Sequence, residues 1–91
     1  MSKKITLNVF LFGCLRKYSD NNPLILTINA GAMVHEIKKA LLDLLVATKP
    51  DFNDHDIISV SALAYNQQIL SDNTPVVASG DLAVLPPVCG G

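Results

Sequence analysis

The residues best suited to do chemistry are the last seven, Leu85-Pro86-Pro87-Val88-Cys89-Gly90-Gly91. Two glycines ending a chain by chance is roughly a one-in-two-hundred event, given ~7% glycine usage. The plain alternative is a frayed terminus. Against it, two prolines restrict φ and favour a polyproline-type path, so residues 86–91 are expected to leave the domain as an arm. Six residues beyond Leu85 span at most ~20 Å, long enough to enter a pocket in another protein. Glycines at the tip carry no Cβ, and a narrow channel can close on their backbone. The reactive group of such an arm is the carboxylate of Gly91. It is a resonance-stabilised anion and needs activation before a nucleophile can displace its oxygen. Attack on the α-phosphate of ATP supplies this, leaving an acyl adenylate from which AMP departs. Positioning and charge neutralisation for that step fall to a partner enzyme.

Elsewhere the residue types do not assemble into a catalytic set. Asp51-Phe52-Asn53-Asp54-His55-Asp56 begins like a calcium loop. Its sixth position is Asp56 where the sharp turn needs glycine, and its twelfth is Ala62 where a bidentate glutamate belongs, so a solvated loop is expected. His35 and His55 lack metalloprotease spacing and read as a helix-surface and a loop histidine. Glu36 is the only glutamate. No nucleophile elbow, phosphate-binding loop or dinucleotide glycine pattern occurs. No metal site and no tightly bound cofactor are expected, and the chain is expected to be non-catalytic alone. Cys14 and Cys89 make neither a disulfide framework nor a four-ligand zinc set, which fits a reducing compartment. Cys89 is read as inert, because a thiol of pKa near ~8.5 has nothing adjacent to lower it.

The elements that must position the arm follow from periodicity. Residues 4–12 alternate Ile5, Leu7, Val9 and Leu11 against Thr6, Asn8, Phe10 and Phe12, which is strand spacing. Lys3-Lys4 ahead of Leu11-Phe12-Gly13-Cys14 faintly resembles a lipoprotein processing site, but Thr6 and Asn8 interrupt its apolar stretch. Asp20-Asn21-Asn22-Pro23 is a turn signal before a second strand at 24–28, and the two strands should form a hairpin with a long loop. From Met33 to about Ala47 the spacing becomes helical. Val34, Ile37, Leu41, Leu44, Leu45 and Thr48 share one face, His35, Glu36, Lys38, Lys39 and Asp43 the other, and Pro50 stops the helix. Residues 57–65 read as a third strand or its approach, Asn66-Gln67 as a turn, 68–70 as a short strand, and 82–85 as the last strand after a turn at Gly80-Asp81.

One helix covers one sheet face and leaves the other partly exposed. The predicted class is therefore α+β, a β-grasp with a mixed sheet of four to five strands packed on one main helix. Residues 1–85 form the domain and 86–91 the arm. Ninety-one residues that are 49% hydrophobic allow one self-sufficient core. Lys+Arg 7 against Asp+Glu 8 gives a net charge of −1, too weak a positive field to hold a nucleic-acid backbone. No run reaches the ~18 apolar residues of a membrane span. Neither nucleic acid nor membrane is an expected partner, and the expected location is the cytoplasm.

Pro86-Pro87-Val88-Cys89-Gly90-Gly91 is similar to a Pro-Pro-Val-x-Gly-Gly ending. Phe12-Gly13-Cys14-Leu15-Arg16 looks like the segment that closes the same family's first strand, Asn66-Gln67 like its hairpin, and Gly80-Asp81 like the approach to its last strand. On these residues the whole chain resembles the small sulfur-carrier subunit of molybdopterin synthase, within the ubiquitin-like sulfur carriers. The resemblance implies that a ubiquitin-activating-type enzyme adenylates Gly91 with ATP and that sulfur then enters as a thiocarboxylate. The arm would next enter the large synthase subunit, in a heterotetramer, and donate sulfur to the cyclic pterin precursor of the molybdenum cofactor. It also implies that Phe12, Ile69 and Leu85 belong to an apolar sheet surface that docks both partners, and that Pro86, Pro87, Val88, Cys89 and Gly90 form the enclosed arm. The family usually has one more residue between Gly-Asp and Pro-Pro than Leu82–Leu85 supplies, and often an aromatic at Leu85. Carriers serving thiamine, tRNA thiolation or cysteine synthesis share the Gly-Gly end. A ubiquitin-like modifier joined through Gly91 to lysine, or a binding module with an incidental tail, also stays open.

Overall fold

The computed structural model describes residues 3–18, 23–53 and 55–87. β1 (Lys4–Leu11) leads into a 3-10 turn at Gly13–Tyr18, then β2 (Leu24–Asn29), α1 (Val34–Thr48), α2 (His55–Val60), β3 (Ala62–Tyr65), β4 (Gln68–Ile69) and β5 (Gly80–Leu85). The five strands make one mixed sheet in the order β2-β1-β5-β3-β4. Its centre is the parallel pair β1–β5, with Leu7 opposite Gly80 and Leu11 opposite Val84. The expected β1–β2 hairpin pairing is present, from Lys4 opposite Asn29 to Val9 opposite Leu24.

Strict alternation along β1 sends Ile5, Leu7, Val9 and Leu11 to the covered face. There they meet Val34, Ile37, Leu41 and Leu45 of α1, all buried, together with Leu82 and Val84 of β5. Burying each such leucine or isoleucine contributes roughly 1.5–3 kcal/mol before entropy is counted. Leu44 is only partly buried, and Thr48 departs from the predicted stripe: it is exposed, its Oγ1 donating to the Leu44 carbonyl at 2.7 Å. At the other end the Met33 N–H donates to the Glu36 carboxylate, occupying a donor at the start of the helix. Pro50, with no N–H, follows the last turn.

Three local expectations are corrected. Residues 57–60 are helical, not the approach to a strand, although Ile57, Ile58 and Val60 are β-branched. Burial of Ile58, the Ser61 hydroxyl donating to the Ile57 carbonyl at 2.6 Å, and Lys38 Nζ donating to the Ser59 carbonyl at 2.8 Å outweigh that weak preference. Gly13–Tyr18 is a 3-10 turn, not open loop, anchored by buried Leu15 and Tyr18; Tyr18 meets Phe52 edge-on at 4.9 Å. Gly80-Asp81 is already strand. The connection before it is pinned by a one-residue bridge, with the Gly31 N–H donating to the Val76 carbonyl and the Val76 N–H to that of Ala32.

Candidate functional site

The site grows from the outer face of β5 and the point where the chain leaves it. The side chains of β1 and β5 that turn away from α1 divide this face in two. Near the start of β5 it is polar: Asn8 Nδ2 donates to Asp81 Oδ1 at 3.2 Å, and the Thr6 N–H donates to Ser79 Oγ at 2.9 Å. Towards the end of β5 it is apolar. Phe10 lies opposite Ala83, Ala83 opposite Ala64, and Ala64 opposite Ile69, one row crossing four strands. The next row holds Phe12, Leu85 and Ala62, since the Phe12 N–H donates to the Val84 carbonyl and Ala62 pairs with Leu85. Phe10 is 39% exposed, Phe12 44% and Ile69 65%, whereas Leu85 is half-buried. A contiguous apolar surface of this kind marks a partner site more strongly than any one exposed residue does.

The structure thus brings Phe12, Ile69 and Leu85 onto one face of the sheet. Phe10 was not among the site residues read from the sequence. Its signal was the β1 alternation, which sets Phe10 on the same side as Phe12. Leu85 ends a β5 that runs in unbroken register with β1, so the shorter last strand is accommodated without a bulge.

The root of the arm is fixed by close approach. Gly13 has φ +60°, and a Cβ there would stand 2.8 Å from Pro86 Cγ. Only glycine allows the turn after β1 to lie this close beneath the first proline. Pro86 is half-buried and Pro87 exposed. Val88, Cys89, Gly90 and Gly91, assigned to the arm by the sequence, lie outside the described residues. Cys14 is disulfide-bonded, which departs from the expectation of two isolated thiols.

The far end of the apolar surface rests on a two-residue hairpin. Asn66 and Gln67 both have positive φ, 47° and 75°, as a type I′ turn requires. Asn66 also reaches β5, its side-chain oxygen accepting the Asp81 N–H at 2.9 Å while its own N–H donates to the Asp81 carbonyl. A Cβ on Gly80 would come within 2.6 Å of that oxygen. Asn66-Gln67 and Gly80-Asp81, distant in sequence, are therefore one structural unit that holds β4, and with it Ile69, against β3. No helix among the described residues is long and apolar enough to cross a membrane, and no group of metal-ligating side chains occurs among them.

Comparison with known proteins places this geometry. No curated protein gives a significant match. Among solved structures, the crystal structure of SAMP1 from Haloferax volcanii superposes with a TM-score of 0.66 at 22% identity, covering 94% of this chain and 99% of that one. That likeness establishes the ubiquitin-like β-grasp fold. The model of the ThiS family matches residues 9–91, most of the sequence and the whole arm. Because that model covers well over half of the sequence, the chain belongs to the ThiS family of ubiquitin-like sulfur carriers.

Proposed function

We propose that this chain carries sulfur for molybdenum-cofactor biosynthesis as the small subunit of molybdopterin synthase. Gly91 is the loading site. Its carboxylate oxygen attacks the α-phosphorus of ATP in a ubiquitin-activating-type enzyme, expelling pyrophosphate, and a sulfur nucleophile then displaces AMP to leave a thiocarboxylate. ATP is the partner's substrate, and the chain itself needs no resident cofactor. In the large synthase subunit the loaded arm delivers sulfur to the cyclic pterin precursor, and two carriers supply the two sulfurs of the dithiolene. Pro86, Pro87, Val88, Cys89 and Gly90 are the stretch the partner pockets enclose, and the cytoplasm is where this exchange takes place.

The observation that carries this reading is the continuity of the apolar outer face with the root of the arm. Leu85 immediately precedes Pro86, and Phe12 is hydrogen-bonded to the adjacent Val84, so a partner that covers them is already at the arm's exit. A partner pocket ~20 Å deep matches the fully extended length of six residues. Family membership supports the carrier role, and the Pro-Pro-Val context before Gly-Gly favours the molybdopterin pathway.

The test is single-turnover adenylation of the full chain by the adenylating enzyme of the same cell, read by intact mass. The wild type is expected to gain AMP, and the chain lacking Gly91 to gain none while unfolding at the same temperature. Equal labelling of both chains would overturn Gly91 as the loading site. Sulfur transfer to a pterin precursor by the loaded chain and a large synthase subunit distinguishes this pathway from the other sulfur-carrier pathways.

A further inference from the structure

β2 is an edge of the sheet, and it carries none of the features that usually close an edge. Leu24-Ile25-Leu26-Thr27-Ile28-Asn29 has no charge and no proline, and its register with β1 runs without a bulge from Asn29 opposite Lys4 to Leu24 opposite Val9. The other edge, β4, is only two residues long. The Ala30 N–H donates to the Lys3 carbonyl, which fixes the alternation of the ladder. Leu24, Leu26 and Ile28 bond to β1, and the backbone groups of Ile25, Thr27 and Asn29 point away from it. The Asn29 carbonyl accepts the Ala32 N–H at 3.2 Å, whereas the outward N–H and C=O of Ile25 and Thr27 meet no partner among the described residues. α1 leaves this edge open, with Thr27, Asn29, Glu36 and Ala40 lining a cleft of about 230 Å³ between strand and helix.

We propose that β2 is a self-association edge, pairing antiparallel with β2 of a second copy about a twofold axis at Leu26. The donors and acceptors that remain select this register. Centred on Leu26, Ile25 of each copy lies opposite Thr27 of the other, and each such pair exchanges both of its hydrogen bonds, so every free backbone group at these positions is used. The next pair sets Pro23, which has no N–H, opposite Asn29, whose carbonyl is already engaged, so the two gaps meet each other. An axis at Ile25 would set Thr27 against Pro23, and an axis at Thr27 would set Ile25 against the occupied Asn29 carbonyl. Each of these leaves a bond unmade.

The side chains agree with the Leu26 register. Exposed Ile25 and Thr27 pair on the outer face, and half-buried Leu24 meets Ile28 on the inner face, with both α1 helices on the same side of the joined sheet. The contact is isologous and uses β2 of both copies, so it closes as a dimer and leaves only the short β4 strands as edges. The apolar row from Phe10 to Ile69 lies on the other four strands and stays open. Two paired strands make a small interface beside the ~1,200–2,000 Å² that a stable complex buries, so the dimer is reversible and forms at high protein concentration.

The experiment is sedimentation equilibrium of the full chain, with a thiol reductant present, from ~10 µM to ~1 mM, together with backbone amide exchange at both ends of that range. The mean mass is expected to rise from that of one chain towards twice that value. The Ile25 and Thr27 amides should exchange about threefold more slowly or better at the high end, as the dimer becomes the main species. Thr27→Pro removes an outward N–H at an edge position that tolerates proline, and Thr27→Lys adds a charge on the exposed face without touching the backbone. Both variants are expected to stay monomeric throughout, and Phe12→Asp to dimerise like the wild type. A wild type that is still monomeric at ~1 mM, or association that survives Thr27→Lys, would overturn the proposal. Association lost in Phe12→Asp would move the contact to the outer face and overturn it too, as would a doubled mass with no slowing at Ile25 and Thr27.

Discussion

Replacing Gly13 by alanine tests the root of the arm. Two costs act at that position. The φ of +60° places an L-residue in the left-handed region, a penalty of about 1–2 kcal/mol, partly offset by ~0.4–1 kcal/mol from a stiffer unfolded chain. The new Cβ would stand 2.8 Å from Pro86 Cγ, where carbon atoms ordinarily rest ~3.5–4.0 Å apart, so the proline must retreat by ~0.7–1.2 Å. Together these give an expected destabilisation of about 1–2 kcal/mol, or a fall in Tm of roughly 4–8 °C per kcal/mol. Pro86→Ala removes the Cγ and leaves the φ penalty untouched. In a double-mutant cycle followed by urea unfolding, the Gly13→Ala and Pro86→Ala pair should therefore couple favourably by ~0.5 kcal/mol or more. Additive effects, or a Gly13→Ala chain as stable as wild type, would refute the close packing of the arm root on the turn after β1.

Gln67→Gly should stabilise the domain by ~0.5–1 kcal/mol in urea unfolding, because Gln67 holds φ 75° in a turn that favours glycine at its second position. A loss of stability would show that the Gln67 side chain makes a compensating contact. Phe12→Asp should slow adenylation at limiting enzyme by ~30-fold, the loss of one interface hot spot, with stability within ~0.5 kcal/mol of wild type. Unchanged adenylation would remove the apolar face from the docking surface. Leu41→Ala, fully buried between α1 and the sheet, should cost about 2–5 kcal/mol in urea unfolding. A cost below ~1 kcal/mol would contradict that packing.

The main strands and the long helix were legible because their signal is periodic and local. Alternation in β1 and the helical stripe beginning at Val34 each have one good solution, burial of the apolar side. The Asn66-Gln67 turn was legible for a related reason, as asparagine tolerates positive φ. The short helix at His55–Val60 was not, since β-branched Ile57, Ile58 and Val60 point to strand, and the burial of Ile58, the distant Lys38 and the local Ser61 bond to Ile57 reverse them. The 3-10 turn depends on Leu15 and Tyr18 meeting a core assembled from distant segments. Of the candidate site, the arm was visible as a string of special residues. The apolar face was visible only in part, because the row from Phe10 through Ala83 and Ala64 to Ile69 exists once the parallel β1–β5 register has been set. The pairing of Asn66 with Gly80-Asp81, and the contact of Gly13 with Pro86, likewise arise from strand order and leave no trace in local spacing.

The most direct test of the carrier role is the intact mass of this protein purified from its own cells under non-denaturing conditions, with fragmentation to locate any change. A population in which one oxygen of Gly91 is replaced by sulfur is expected, and it should disappear when the adenylating enzyme is deleted. A C-terminus that remains entirely carboxylate in active cells, or that appears only in branched conjugates with lysine, would contradict it.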